Sequence, residues 1–230
     1  MAEVVRDEGA RAVAAEAIRA AFVRAADALG LTQPGRTPVI EDLLARLAEP
    51  HRRYHDSRHV AACVSLAEAH ASHAARPAEV IVALLFHDAV YDPSARDNEA
   101  RSAALAATAL AGLGADAGVV ARVERLVLAT RDHEARGDRD AALVLDCDLS
   151  ILGADAEARE AFEEGVRAEY AFVDDEAYRV GRSRVLERFL AKDRIYAVPA
   201  IAARLEGPAR AHLAARLRAL RTGEGDLGPR

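Results

Sequence analysis

Four side chains of metal-ligand type follow one another along the chain: His59, the adjacent pair His87 and Asp88, and Asp148. Two imidazole nitrogens and two carboxylate oxygens can hold one divalent cation and leave coordination positions for water. Such mixed ligation favours a six-coordinate Mn, Fe, Mg, Co or Ni ion, or a catalytic Zn, over the thiolate-rich cage of structural zinc. A cation of this kind activates water and polarises phosphoryl oxygens, so the residues predict metal-assisted hydrolysis.

The apolar surroundings of these residues separate them from chance pairs. His87 and Asp88 interrupt the run VIVALLFHDAVY, and Asp146 and Asp148 interrupt LVLDCDLSILG. Burying ionisable groups without partners would cost several kcal/mol, so both segments predict a cation or a dense hydrogen-bond network. Two residues apart on a helix, the two aspartates point in different directions. We predict Asp148 as the ligand and Asp146 as a residue that supports the ligands without touching the ion.

The elements that must position these side chains are helices. Ala, Leu, Arg and Glu dominate, and apolar residues recur at helical spacing in IRAAFVRAADAL and VVARVERLVLAT, whereas strand-like alternation is scarce. Glycines and prolines divide the chain into about nine helices of ordinary length. The sequence therefore predicts an all-α fold.

Asp56 predicts the start of the helix that carries the first ligand. As the N-cap of the segment SRHVAACVSLAEAH, it places His59 in the first helical turn. His55 then lies on the preceding loop, where it can lean over the open side of the metal.

The other ligands are predicted on two further helices. His87 and Asp88 are expected side by side on a buried helix that ends at Pro93. Both can reach one ion because their side chains differ in length and direction. Asp148 would complete the site from a third helix.

Length and composition predict one domain. A chain of 230 residues with 51% hydrophobic content can bury one sizeable core. We place this domain at residues 1–222, with the ligand-bearing core at about 43–155. Residues 223–230 are expected to form a disordered tail.

Charge and composition limit which partners and which cellular compartment we expect. A net charge of -6 argues against a nucleic-acid polymer as partner. No stretch reaches the roughly 18 apolar residues of a membrane span, and the N-terminus lacks the apolar core of a signal peptide. Cys63 and Cys147 form no CxxC motif and are expected in the core. We expect a cytoplasmic protein without membrane partners, and a homo-oligomer stays possible.

The order His, His-Asp, Asp resembles the ligand order of the HD superfamily of metal-dependent phosphohydrolases. The string YHDSRHV, Tyr54 to Val60, is similar to the entry motif of the cyclic-nucleotide phosphodiesterases, and CDLS resembles their last ligand segment. PHRRYHDSRHV, LLFHDAVYDPSARDNEARSA and LDCDLSILGA together resemble a bacterial subgroup of predicted HD phosphohydrolases. This resemblance extends from about Leu43 to Leu220.

The resemblance implies an all-α bundle of the HD-domain type that hydrolyses a phosphate mono- or diester. The substrate class implied is a nucleotide or another small phosphorylated metabolite. His59, His87, Asp88 and Asp148 would hold one divalent ion, and His55 would act as general acid toward the leaving oxygen. The chain lacks the glutamine-and-aromatic nucleotide clamp of the phosphodiesterases, which argues against cyclic nucleotides.

Further polar residues are candidates for catalysis or substrate binding. Glu99 could reach the activated water, or simply begin its helix through capping and the helix dipole. His133 could orient that water or bind a second metal, or face the dipole at a helix end. Arginine suits phosphate oxygens because its donors are bidentate. The predicted phosphate contacts are Arg58, Arg167, Tyr170, Arg182 and Lys192.

Two other classes of function stay open at this point. An HD-type di-iron oxygenase would need further histidines for a second iron, and only His133 and His51 are available. A non-catalytic regulator that binds a metal or a nucleotide would have the open positions of its ion blocked. Metal content separates the first alternative from a hydrolase, and turnover of phosphoesters separates the second.

Overall fold

The computed structural model describes residues 2–32 and 34–223, with side chains from residue 8 onward. Within these ranges every regular element is helical, and no strand occurs. The α-helices are α1 (Ala2–Ala28), α2 (Arg36–Leu47), α3 (Ser57–Ala69), α4 (Pro77–Phe86), α5 (Asn98–Gly112), α6 (Ala117–Ala129), α7 (Arg139–Asp148), α8 (Ala156–Glu169), α9 (Asp175–Leu190) and α10 (Pro199–Thr222). The all-α prediction is confirmed, whereas most of the predicted tail, residues 224–230, lies outside the described residues. None of the helices described is long and apolar enough to span a membrane.

Helix α4 forms the centre of the first compact unit, which comprises the described residues up to Asp148. Every residue from Glu79 to Phe86 is buried, as expected of a helix that is apolar on nearly all sides. Helices α1, α3, α6 and α7 pack against it. Arg122 of α6 neutralises Glu79 through two hydrogen bonds of 2.7 and 2.8 Å. The C-terminal end of α4 therefore delivers its side chains into the interior of this unit.

Helix α4 ends earlier than the sequence predicts. It stops at Phe86, so His87 and Asp88 follow the helix rather than lying on it, and Pro93 does not determine its end. The His87 Nδ1–H donates to the Leu84 carbonyl oxygen at 2.7 Å and so competes with the helical hydrogen-bond ladder. Ala89 N–H donates to the Phe86 carbonyl oxygen at 3.0 Å, which continues the chain as a tight turn.

His55, His59 and Asp148 lie on the elements that the sequence indicates, and their roles at a metal stay predictions. Asp56 caps α3 by accepting a hydrogen bond of 2.8 Å from the backbone N–H of Arg58. His59 lies in the first turn of α3, and His55 lies in the turn that precedes it. Asp148 is the last residue of α7. Three separate segments thus carry the ligand side chains.

The second compact unit comprises the described residues from Leu149 onward. It contains the 3₁₀ helix Leu149–Gly153 and helices α8, α9 and α10. Gly153 approaches α10 so closely that a Cβ atom would lie 2.6 Å from the Leu205 carbonyl oxygen, which excludes a side chain. The single domain over residues 1–222 stays a prediction.

A buried ion cluster joins the three helices of the second unit. Glu163 of α8 accepts a hydrogen bond of 2.7 Å from Arg182 of α9. Its carboxylate oxygens lie 3.3 Å from His212 Nε2 and 3.3 Å from Arg216 Nε, both of α10. Burial alone would raise the pKa of Glu163, but His212, Arg182 and Arg216 lower it to about 2. The carboxylate is therefore an anionic link between helices.

Candidate metal centre

The four predicted ligands converge at one point of the first unit. His59 Nε2 lies 3.1 Å from His87 Nε2 and 3.3 Å from Asp148 Oδ1. Asp88 Oδ2 lies 3.1 Å from His87 Nε2 and 3.5 Å from His59 Nε2. With metal–ligand bonds of about 2.1 Å, adjacent ligand atoms in an octahedral or tetrahedral site are about 3.0 to 3.4 Å apart. The separations match those of ligands around one ion.

The side chains are also oriented for coordination. His87 donates its Nδ1–H to the Leu84 carbonyl, so Nε2 is the nitrogen that can bind a metal once its own proton is displaced. His59 and His87 are buried, whereas the side chains of Asp88 and Asp148 are 19% and 15% exposed. Solvent therefore reaches the carboxylates while the imidazoles are held inside.

Cys63 also lies at this point, although the sequence predicts it only as a core residue. Its Sγ lies 3.7 Å from His59 Nδ1 and 3.8 Å from His59 Nε2. It follows His59 by four residues on α3, a spacing that brings two side chains to one helix face. That spacing is the signal that could have identified it. The buried group of His59, Cys63, His87 and Asp148 can hold a metal ion.

The thiol and the Asp88 carboxylate offer alternative fourth ligands. The Cys63 thiol donates to the Cys147 carbonyl oxygen at 3.5 Å. Burial, together with the charge of Asp148, raises the pKa of this thiol well above its ordinary value. To bind a metal, this thiol would have to lose both its proton and its hydrogen bond, because the thiolate is the form that binds metals. Asp88 is therefore the better fourth ligand on the grounds of charge and distance.

The charged side chains at the centre shift one another's pKa values. Burial lowers the pKa of His87, but Asp88 and Asp148 outweigh this effect and hold it well above its ordinary value. Burial raises the pKa of Asp88, yet His87 holds it below the usual carboxyl range. The pKa of Asp148 is likewise lowered, against the effect of burial, by its bonds to His133, His59 and His87. Binding of a divalent cation would displace the proton on His87.

His55 lies beside the ligands on the turn before α3. Its ring centroid is 5.8 Å from that of His59. Tyr91 stacks against it at 4.4 Å, and Tyr54 meets it edge-on at 5.0 Å. The imidazole is half-buried, so these aromatic contacts hold it next to the centre while part of it faces solvent.

Arg52 joins the two segments that carry His55 and Asp88, and the sequence does not mark it among the arginines. The residue is completely buried. Its Nη1 donates to the carbonyl oxygens of His55 and Asp88 at 2.9 and 2.7 Å, and its Nη2 donates to that of Ala89 at 3.3 Å. Its charge is paired with Glu49 at 3.1 Å. Because its partners are mostly backbone carbonyls, no sequence motif could reveal this role.

Two of the three predicted catalytic residues lie at the centre. His133, in the loop between α6 and α7, has Nε2 at 3.3 Å from Asp148 Oδ2, and His55 is described above. Glu99 is half-buried in the first turn of α5, and no hydrogen bond or ion pair among the described residues connects it to the ligands. Asp146 is buried on α7 two residues before Asp148. The roles of Glu99 and Asp146 stay predictions.

Arg58 is the predicted phosphate contact that lies in the same unit as the ligands. Its guanidinium is 37% exposed and forms an ion pair of 2.7 Å with the completely buried Asp56. A second hydrogen bond of 3.0 Å runs to the carbonyl oxygen of Arg53. The pair anchors Arg58 close to the turn that carries His55.

The other predicted phosphate contacts belong to the second unit and have structural partners there. The buried Arg167 donates to the Tyr170 carbonyl oxygen at 2.8 Å and to Asp175 at 2.8 Å. Arg182 is bound to Glu163, as described above, and Lys192 is half-buried after α9. Their contacts with phosphate stay predictions.

Comparison with known proteins gives no match to the chain among protein-family models, curated proteins or solved structures. The chemistry of the centre therefore rests on its side chains. These supply two nitrogen and two oxygen donors that lie 3.1 to 3.5 Å apart in the measured pairs.

Proposed function

We propose that this protein is a metal-dependent phosphohydrolase of the HD type. Its substrate would be a phosphate mono- or diester, on a nucleotide or another small phosphorylated metabolite. The observation that carries the proposal is the convergence of His59, His87, Asp88 and Asp148, with His55 beside them. A divalent cation bound there supplies an activated water and a Lewis acid for phosphoryl oxygens.

His55 is the proposed general acid. A general acid has to be close to the reacting group and able to exchange protons with solvent, and this half-buried imidazole beside His59 supports that role. Its position is fixed on two sides: Tyr91 stacks on the ring, and Arg52 holds the His55 carbonyl oxygen. His55 would deliver its proton to the departing oxygen of the ester.

The charges around the His55 turn support an anionic substrate. Four arginines and two acids lie in this turn or against it, which leaves an excess of positive charge within the group. Those charged residues are Arg11, Arg52, Arg53, Arg58, Glu49 and Asp56. These arginines offset the carboxylates of Asp88 and Asp148, so a bound divalent cation would leave the site positive and raise the local concentration of phosphate esters.

The test is a phosphoesterase screen over nucleotides and sugar phosphates, with Mn, Mg, Co, Ni, Fe and Zn supplied in turn. Once a substrate is found, we expect His55→Ala to retain its metal and to lose about 10² to 10⁴-fold in turnover, because that is the usual contribution of a general acid. His59→Ala should lose both metal and turnover. His70→Ala is the control, because His70 lies at the C-terminal end of α3, about 16 Å along the helix from His59.

Two outcomes would contradict parts of this proposal. A protein that binds metal but hydrolyses no ester in the screen would favour a regulatory module. Near-normal turnover by His55→Ala, with an unchanged pH profile, would show that His55 is not the general acid.

A further inference from the structure

The loop between α6 and α7 holds two non-glycine residues in the left-handed backbone region. His133 has a φ of 55° and Arg136 has a φ of 48°. Few residues other than glycine adopt this region, and strained conformations of this kind concentrate at functional sites. The Arg136 side chain is exposed and forms an ion pair with Asp132 of the same loop. His133 differs from it, because its side chain reaches the candidate metal centre.

The two carboxylate oxygens of Asp148 have different partners. Oδ1 lies 3.3 Å from His59 Nε2 and 3.5 Å from His87 Nε2, so it faces the other ligands. Oδ2 lies 3.3 Å from His133 Nε2. The His133 side chain is 18% exposed, which shields this contact from most of the solvent.

We propose that His133 is a positioning residue that holds Oδ2 of Asp148 and leaves only Oδ1 as a ligand. The inference rests on the proposed metal-dependent function. The His133 N–H on Oδ2 would prevent the carboxylate from turning both oxygens toward a bound ion. It leaves Oδ1 facing the nitrogens of His59 and His87, which would hold that ion. A bound ion would thereby have one more position open for water or substrate. The left-handed backbone at His133 turns the loop back so that the imidazole reaches Asp148.

The test compares two glycine variants of the same loop. His133→Gly removes the imidazole and adopts the left-handed backbone without strain, and Arg136→Gly makes the same backbone change without altering a side chain at the centre. Each protein is stripped of metal with a chelator, checked for folding by circular dichroism and titrated with Co²⁺ by calorimetry. We expect His133→Gly to bind Co²⁺ about 10 to 100-fold more weakly, as is usual when a residue that orients a ligand is lost. Arg136→Gly should bind Co²⁺ like the wild type.

A spectrum adds a readout that a merely structural role would not change. In His133→Gly the visible absorption of bound Co²⁺ should lose intensity, because Asp148 becomes free to bind through both oxygens and the coordination number rises. His133→Asn is a second variant in case the glycine variant does not fold, since asparagine tolerates the left-handed region and is too short to reach Asp148. It should show the same spectral change. If His133 only faced the dipole of α6, its replacement would change the stability of the protein and leave the Co²⁺ affinity and the spectrum unchanged.

The other outcomes of these experiments would contradict the inference alone or together with the proposed function. Wild-type affinity and spectrum in both His133 variants would overturn the inference, and so would equal weakening by His133→Gly and Arg136→Gly. A wild-type protein that hydrolyses phosphoesters while His133→Gly matches its Co²⁺ affinity would refute the inference alone. A wild-type protein that binds no divalent ion would refute the proposed function together with it.

Discussion

At the scale of single residues, the open question at the candidate metal centre is whether Asp88 or Cys63 is the fourth ligand. Both lie close to His59, but Asp88 brings a negative charge and also lies 3.1 Å from His87 Nε2. Cys63 is occupied by its hydrogen bond to the Cys147 carbonyl oxygen. A site with two imidazoles and two carboxylates favours Mn, Mg, Fe or Co, whereas a thiolate would favour a softer ion such as Zn.

We therefore expect Asp88→Ala to lose tight metal binding and Cys63→Ala to retain it. Removing Asp88 deletes a charged ligand, whereas removing Cys63 deletes a small buried side chain whose loss costs about 1 kcal/mol of folding stability. Calorimetric titration of both variants with Mn²⁺ and Zn²⁺ measures the difference. Loss of metal in Cys63→Ala, together with a thiolate charge-transfer band in the Co²⁺ form of the wild type, would instead make Cys63 the ligand.

The sequence predicted that His59, His87, Asp88 and Asp148 would come together, but it did not predict the places of Arg52 and Cys63 beside them. Histidines and aspartates inside apolar runs can be recognised in the sequence, because burying such residues without a partner is costly. Arg52 and Cys63 carry no such mark. Arg52 bonds to backbone carbonyls that come together only in the fold, and Cys63 could have been identified only by its position four residues after His59.

At the scale of elements, helix starts were easier to predict than helix ends. The start of α3 follows from a local cap, in which Asp56 accepts from a backbone N–H two residues later. The end of α4 depends on the side-chain bond from His87 to Leu84, and the sequence shows only that Pro93 comes later. Proline limits how far a helix can extend and leaves open where it stops.

The ion cluster of α8, α9 and α10 predicts how stability depends on pH. The folded pKa of Glu163 is about 2, below its ordinary value of 4.5, so the carboxylate stabilises the fold above pH 4.5. This contribution, at most about 3 kcal/mol, is lost as the pH falls from 4.5 toward 2. Glu163→Gln should therefore be less stable than the wild type at pH 7, with a smaller difference at pH 3. Urea unfolding at both pH values measures this, and a difference that does not change with pH would exclude Glu163 as the source.

At the scale of the whole molecule, all ligands of the candidate centre come from the first unit. Asp148 is the last residue of that unit, and the predicted ligands His59, His87 and Asp88 precede it. A bound ion would therefore link helices α3 and α7 with the turn that follows α4. A ligand that binds only the folded state stabilises it, so a bound metal should raise the free energy of unfolding.

We expect one divalent ion per chain, because the described residues bring together one group of ligands. An ion present at about 100 times its Kd adds about 2.7 kcal/mol of stability, which corresponds to roughly 5 to 10 °C in Tm for a chain of this length. A chelator should lower Tm by that amount, added ion should restore it, and Asp148→Ala should respond to neither. Elemental analysis gives the stoichiometry, and differential scanning calorimetry gives the shift. Two irons per chain with a redox-active spectrum would contradict the single-ion centre and favour an oxygenase, in which His133 would be a ligand of the second iron.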